Sequence, residues 1–166
     1  MGRLLAIRDT GPAFVAALLA AWEAGDAVLP IDPRLPVATA ADLERAMRVG
    51  GEVDPDDALV IATSGTTGTP KGAVLTHGAV AAAARATSDR LGIDPGSDRW
   101  LACLPVAHAG GLSVVTRALV TGTPLTALPR FDVEAVIAAA HAGCTRVSLV
   151  ARALASLPPR LFRTVL

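Results

Sequence analysis

The sequence has 166 residues, and its fifteen acidic and fifteen basic side chains leave no formal net charge. This charge balance argues against a nucleic-acid or anionic-membrane partner, and no charge-free run reaches the roughly 20 apolar residues that span a bilayer. The length predicts one domain with a sizeable buried core.

The first part of the chain alternates between helix and strand. An amphipathic helix is predicted from Pro12 to Gly25, with its apolar positions on one face. A short apolar strand is predicted at 27–31, a second helix from Thr39 to about Val49, and an acidic, exposed connection at 50–57.

The most distinctive run of the sequence is Thr63 to Gly72, which contains the only lysine, Lys71. Its glycines allow the backbone to approach a ligand closely, and its hydroxyls and successive amides are donors for an anion. Lys71 adds a compact positive charge on a flexible stem. The pattern indicates a phosphate-binding loop; the alternative, a solvated linker, does not suit a position between an apolar strand and an amphipathic helix.

The flanking residues place this loop between a strand and a helix. A buried strand is predicted at 58–62, and a short extension leads to a helix from about His77 to Leu91, with Thr76 as its cap and Gly92 as its stop signal. Because Pro70 precedes Lys71 and Gly72 follows it, the loop is not a Walker A motif, which argues against a generic nucleotide hydrolase.

The second part continues the alternation. Strands are predicted at 99–103, 124–128 and 145–149, and helices at 111–120 and 133–141. Strands and helices that repeat at this spacing predict parallel strands joined by right-handed crossovers. The predicted fold class is therefore α/β, with parallel-sheet layers flanked by helices.

The cysteine pattern indicates the cellular compartment of the protein. Cys103 and Cys144 lie in apolar stretches without CxxC spacing, which predicts buried, reduced thiols. The apolar stretch between Arg3 and Arg8 is too short for a secretory signal peptide. We therefore expect a soluble, cytoplasmic protein; the sequence leaves its oligomeric state open.

A family resemblance rests on two motifs. The run Thr63 to Gly72, continued through His77, closely resembles the phosphate loop of the adenylate-forming superfamily, which includes acyl-CoA synthetases. The run Leu104 to Leu112 is similar to the next motif of that superfamily. A histidine in an apolar stretch is by itself more often structural, but its spacing after the phosphate loop favours a functional position for His108.

The resemblance implies a set of site residues. The ATP phosphates would contact a group in the loop, namely Thr63, Ser64, Gly65, Thr66, Thr67, Gly68, Thr69 and Lys71. The wall of the acyl-substrate pocket would comprise His108, Ala109, Gly110 and Gly111. His108 would position the acid rather than transfer a proton, because an ionised carboxylate needs no general base.

The resemblance also implies an activity. Family members activate a carboxylic acid with ATP and Mg²⁺ as an acyl-adenylate and pass the acyl group to CoA. Among compact members, the sequence most resembles the o-succinylbenzoate-CoA ligases of menaquinone biosynthesis. It matches only the N-terminal adenylation part, so residues 1–166 are expected to be a partial domain that lacks the C-terminal domain and its catalytic lysine. The alternative is a truncated, non-catalytic module that binds nucleotide phosphates or a partner.

Overall fold

The structure is a computed structural model, and it describes residues 1–63 and 70–166. Its strands are β1 (Leu4–Ile7), β2 (Ala27–Pro30), β3 (Asp57–Thr63), β4 (Lys71–Thr76), β5 (Trp100–Ala102), β6 (Leu125–Ala127), β7 (Arg146–Val147) and β8 (Thr164–Val165). Its helices are α1 (Gly11–Glu23), α2 (Val37–Ala46), α3 (His77–Leu91), α4 (Ala109–Thr121), α5 (Val133–His141) and α6 (Ala151–Leu154).

The strands form two four-stranded sheets. The first has the order β1-β2-β3-β4, and the second has the order β6-β5-β7-β8. All pairs in the second sheet are parallel, as are β1 with β2 and β2 with β3. The predicted α/β class, with parallel strands and flanking helices, is confirmed.

One pair of strands departs from the prediction. β3 and β4 are antiparallel, with Thr63 opposite Lys71 and Asp57 opposite Thr76. The sequence predicted only a short extension after the loop, and parallel strands. A parallel connection needs a crossover of a dozen or more residues, and the segment between β3 and β4 is too short for one. A hairpin is therefore the arrangement that lets both strands pair.

The bounds predicted for two helices, 77–91 and 133–141, match α3 and α5. In α3 the side chain of Thr76 accepts a hydrogen bond from the amide of Ala79, and Gly92 takes a left-handed conformation after the last turn. In α5 the side chain of Asp132 accepts a hydrogen bond from the amide of Ala135. Both helices begin and end where the sequence predicted.

Most of the core lies where α1 and α4 pack against the sheets. Its largest fully buried side chains include Phe14 and Leu18 of α1, Leu59 of β3, Trp100 of β5 and Val115 of α4. Both predicted buried thiols, Cys103 and Cys144, are free and buried. Within the described ranges, no helix has the length and apolar character needed to cross a membrane.

Candidate functional site

The described ends of the predicted phosphate loop lie side by side. Thr63 closes β3, Lys71 opens β4, and the Thr63 hydroxyl donates a hydrogen bond to the Lys71 carbonyl oxygen at 3.1 Å. Both residues are exposed. The exposed Lys71 side chain is therefore accessible to a polyphosphate. The other predicted phosphate contacts, namely Ser64, Gly65, Thr66, Thr67, Gly68 and Thr69, lie outside the described residues.

The second motif forms a tight turn at the start of α4. The His108 amide donates to the Pro105 carbonyl at 3.2 Å, and the His108 carbonyl accepts from the amides of Gly111 and Leu112 at 3.1 and 3.0 Å. His108 is the cap residue of the helix, but its imidazole makes no capping hydrogen bond. The exposed imidazole is thus accessible to a ligand, while these hydrogen bonds fix the backbone of the motif.

The two glycines of this turn have different surroundings. A Cβ atom on Gly111 would lie 2.3 Å from the Pro105 carbonyl oxygen and 2.6 Å from that of Leu104, so no side chain fits there. A Cβ atom on Gly110 would meet nothing within 4 Å. Gly111 therefore lets α4 approach the segment that leaves β5, whereas Gly110 leaves open space beside His108.

A cavity lies between the strands that flank the phosphate loop and the helix of the second motif. It has a volume of about 180 Å³ and lies between the β3–β4 hairpin, α3 and the first turns of α4. Ile61 and Leu75 line it on the hairpin side, and Ala109, Leu112 and Ser113 line it on the α4 side. An apolar cavity of roughly 150 Å³ holds a benzene molecule, so this one is large enough for an aromatic ring.

Arg117 of α4 gives this mainly apolar cavity a buried cationic group. Only 6% of the residue is exposed, and its Nε and Nη1 atoms have no hydrogen-bond partner among the residues that the structure describes. Burial lowers the pKa of Arg117. A guanidinium of this kind still carries its charge at neutral pH and has donors to offer to an anion.

A polar cluster lies beside the His108 turn. Arg34 donates to both carboxylate oxygens of Asp32, at 2.6 Å from Nη2 and 2.9 Å from Nε, and this pairing lowers the pKa of Asp32 to about 2, with a smaller contribution from the charge of His108. The cluster opens on a groove of about 560 Å³ that Arg130 and Phe131 also line. The groove is separate from the cavity and is a second concave surface next to the same histidine.

Sequence reasoning missed Arg117 and Trp100. A signal for Arg117 was present, since it is the only charged residue in the otherwise apolar or hydroxyl-bearing run from Leu112 to Val120. An arginine in such a run either pairs with a carboxylate or meets a ligand. The sequence gives no comparable signal for Trp100, whose contact with Arg117 exists only once β5 and α4 have packed.

The family follows from a match over most of the chain. A protein-family model described as AMP-binding enzyme matches residues 40–163, which include both motifs. The chain belongs to the family of AMP-binding enzymes. The resemblance to adenylate-forming enzymes drawn from the two motifs is therefore confirmed. The roles of the individual site residues stay predictions.

Curated relatives within this family agree on one activity. The chain is 35% identical over 134 residues to the 2-succinylbenzoate–CoA ligase of Bacillus cytotoxicus, an alignment that covers 77% of this chain and 28% of that protein. It is 53% identical over 78 residues to a probable 2-succinylbenzoate–CoA ligase of Mycobacterium tuberculosis, which covers 47% of this chain and 20% of that protein. These alignments span less than a third of each relative's length.

A solved structure of the same family has the same fold over nearly the whole chain. The o-succinylbenzoate coenzyme A synthetase of Bacillus subtilis, in complex with AMP, superposes with a TM-score of 0.87 at 26% identity. The match covers 99% of this chain and 54% of that protein. The subfamily that the sequence most resembles is thus represented both among the curated relatives and among the solved structures.

Proposed function

We propose that this chain supplies the ATP-phosphate site and the acyl pocket of an acid–thiol ligase. The enzyme would join a carboxylic acid to ATP as an acyl-adenylate, with release of pyrophosphate, and then transfer the acyl group to CoA. The proposed acid is o-succinylbenzoate, an intermediate of menaquinone biosynthesis. The observation that carries the proposal is the cavity beside α4, which contains the buried guanidinium of Arg117. The Nε and Nη1 atoms of this guanidinium have no hydrogen-bond partner among the described residues.

The cavity suits this acid in shape and in charge. Its apolar walls accommodate an aromatic ring, and burial of that ring is favourable by the hydrophobic effect. Arg117 would hold the second carboxylate, the one that is not activated, in charge-assisted hydrogen bonds. An acid without a second carboxylate would leave the buried guanidinium unpaired, and that penalty supports selection for a dicarboxylate.

The phosphate loop and His108 would arrange the reacting groups. The Lys71 ammonium would bind the outer phosphates of ATP as a mobile point charge, and the hydroxyl of Thr63 would lie next to it. The exposed His108 imidazole would orient the reacting carboxylate, which attacks the α-phosphate as an anion and displaces pyrophosphate. No proton has to be removed from the acid in this step.

Magnesium would arrive with the nucleotide in this proposal. The described residues contain no group of three or more His, Cys, Asp or Glu side chains that could hold a metal ion, so the residues present do not form a dedicated cage. Mg²⁺ commonly keeps several waters and binds substrate phosphates, and it then needs few protein ligands.

The buried, free Cys103 and Cys144 support a reducing, cytoplasmic location.

Acid-dependent exchange of pyrophosphate into ATP tests the proposal. With the complete ligase that contains this chain and a panel of carboxylic acids, we expect exchange of labelled pyrophosphate that requires an acid and is fastest with o-succinylbenzoate. ATP hydrolysis that needs no acid would indicate a hydrolase and contradict the proposal. Nucleotide binding with neither reaction would instead support the non-catalytic module.

Substitution of Lys71 by alanine tests the phosphate contact. We expect the KM for ATP in the exchange assay to rise by about tenfold or more, because a charge-assisted contact is lost. The fold is expected to stay intact, since Lys71 pairs with Thr63 through its backbone in β4 and its side chain is exposed. Arg85→Ala is the matched control, because it removes an exposed cation from the neighbouring helix α3. A folded Lys71→Ala variant whose KM for ATP is unchanged would overturn the assignment.

Substitution of His108 by alanine tests the positioning of the acid. We expect the KM for the acid to rise more than the KM for ATP, because the imidazole would contact the carboxylate and not the phosphates. His141→Ala removes another exposed imidazole, at the end of α5, and is expected to change neither constant. Equal damage to both constants in His108→Ala would show that the histidine has a structural role.

A further inference from the structure

Trp100 lies directly behind the cationic group of the cavity. The Cζ atom of Arg117 is 4.8 Å from the centroid of the Trp100 ring, within the range of a cation–π contact. Trp100 is fully buried in β5 and does not line the cavity, whereas Arg117 does. Trp100 therefore does not touch a ligand in the cavity, and its ring contacts the charged group of the cavity lining, Arg117.

The guanidinium has no other described partner that would hold it. None of the ion pairs among residues 1–63 and 70–166 involves Arg117, and its Nε and Nη1 atoms lack hydrogen-bond partners there. Transfer of a cation into an apolar interior is costly, and burial alone lowers the pKa of Arg117. The electron-rich face of an indole ring offsets part of this cost without using any N–H donor of the guanidinium.

We propose that Trp100 is a positioning residue that determines acid specificity. Its ring holds the Arg117 guanidinium by its face, so that the N–H groups at the edge remain available to a carboxylate in the cavity. The ligand class is an aromatic acid that carries a second carboxylate. This inference rests on the proposed function, and it adds a residue that touches neither the acid nor the nucleotide.

The arrangement predicts a particular pattern of specificity. If a carboxylate stood in the place of the Trp100 ring, it would neutralise Arg117 and remove the preference of the cavity for an anionic ligand. The uncharged aromatic ring leaves the positive charge of Arg117 in place. A smaller aliphatic residue would leave the guanidinium free to reorient. Loss of the ring should therefore weaken the preference for the dicarboxylate and should affect a monocarboxylate much less.

The experiment compares o-succinylbenzoate with the two acids that each lack one of its carboxylates, 4-oxo-4-phenylbutanoate and 2-propanoylbenzoate. The preference is the ratio of kcat/KM for the diacid to kcat/KM for the better monoacid, measured by pyrophosphate exchange. In Trp100→Leu we expect this ratio to fall about tenfold, mainly through the KM for the diacid. Trp100→Phe keeps a weaker aromatic face and is expected to retain part of the ratio.

A double-substitution cycle separates positioning from packing. Arg117→Met should abolish most of the preference, and addition of Trp100→Leu to it should then leave the ratio unchanged. If Trp100 only fills the core, its loss will lower activity on all three acids alike, with or without Arg117, and the inference is wrong. Because ratios are compared, a partly unfolded variant still gives a valid answer as long as its folded fraction is active.

A binding measurement is independent of turnover. The chain has two tryptophans, so a Trp22→Phe variant carries Trp100 as its sole indole fluorophore. We expect o-succinylbenzoate to change this emission and to do so at lower concentration than either monoacid, since a carboxylate on Arg117 alters the field at the ring. An emission that does not respond to bound diacid would overturn the inference. Absence of any acid-dependent exchange would instead overturn the proposed function itself.

Discussion

Replacement of Gly111 by alanine is expected to lower the free energy of unfolding by about 3 kcal/mol, the upper part of the range for overpacking. The added methyl group would lie 2.3 Å from the Pro105 carbonyl oxygen and 2.6 Å from that of Leu104. Both neighbours are backbone atoms, so a side-chain rotation cannot relieve the contact. The start of α4 would have to move away from the end of β5, and the His108 turn would lose its hydrogen-bonded shape.

Gly110→Ala makes the same chemical change one residue earlier and is expected to have the opposite sign. A Cβ atom at Gly110 meets nothing within 4 Å, and alanine in a helix is more favourable than glycine by up to about 1 kcal/mol. Urea unfolding of both variants and the unchanged chain gives the comparison. Equal effects of the two substitutions would mean that the close approach at Gly111 does not hold α4 in place.

The sequence predicted the parts of this fold that are set by local chemistry. The limits of α3 follow from Thr76 and Gly92, and the start of α5 follows from Asp132, because caps act within one turn of the chain. β1 was missed, since its four residues have neither a turn signal nor a clear alternation and are ordered by pairing with β2. Local sequence signals such as caps identify individual helices and strands. They carry no information about which distant segments pair in a sheet.

The candidate site also contains parts that the sequence predicted and parts that depend on contacts between distant segments. The two motifs were recognisable because the phosphate loop and the His108 run are continuous in sequence. Arg117 and Trp100 meet only through packing of α4 on β5, and the cavity needs the hairpin, α3 and α4 together. The antiparallel β4 was also hidden, because its residues Lys71 to Val74 are exposed and its apolar run, Ala73 to Leu75, is only three residues long.

The substitution Asp98→Asn is expected to destabilise the fold by about 3–5 kcal/mol, the cost of breaking a buried ion pair from one side. The Asp98 carboxylate is fully buried and accepts hydrogen bonds from Arg146 Nη2 and Thr145 Oγ1 at 2.8 Å each and from Arg163 Nη1 at 3.2 Å. Arg146 is also buried, so its charge would be left without an anion inside the protein. These contacts join the segment before β5 to β7 and β8, and the second sheet is therefore the part expected to loosen.

Asp42→Asn is the matched control, since it breaks the exposed Asp42–Arg45 pair of α2 and should not change the unfolding midpoint measurably. Addition of Arg146→Met to Asp98→Asn should recover part of the loss, because it removes the stranded charge. If Asp98→Asn unfolds at the same urea concentration as Asp42→Asn, the buried pair contributes nothing and the expectation is wrong.

The pH dependence of stability provides a further check on the same carboxylate. The hydrogen bond from Arg146 lowers the pKa of Asp98 to about 2, whereas an aspartate in an unfolded chain has a pKa of about 3.9. Because the folded pKa is the lower one, the ionised carboxylate stabilises the fold fully above pH 4, and this stabilisation is lost as the pH falls from about 4 towards 2.

The difference in unfolding free energy between the unchanged chain and Asp98→Asn should therefore be constant from pH 7 to 5 and shrink below pH 4. Asp32, held at a similar pKa by Arg34, contributes equally to both proteins and cancels in the difference. A difference that stays constant down to pH 2.5 would show that the charge of Asp98 is not what stabilises the second sheet.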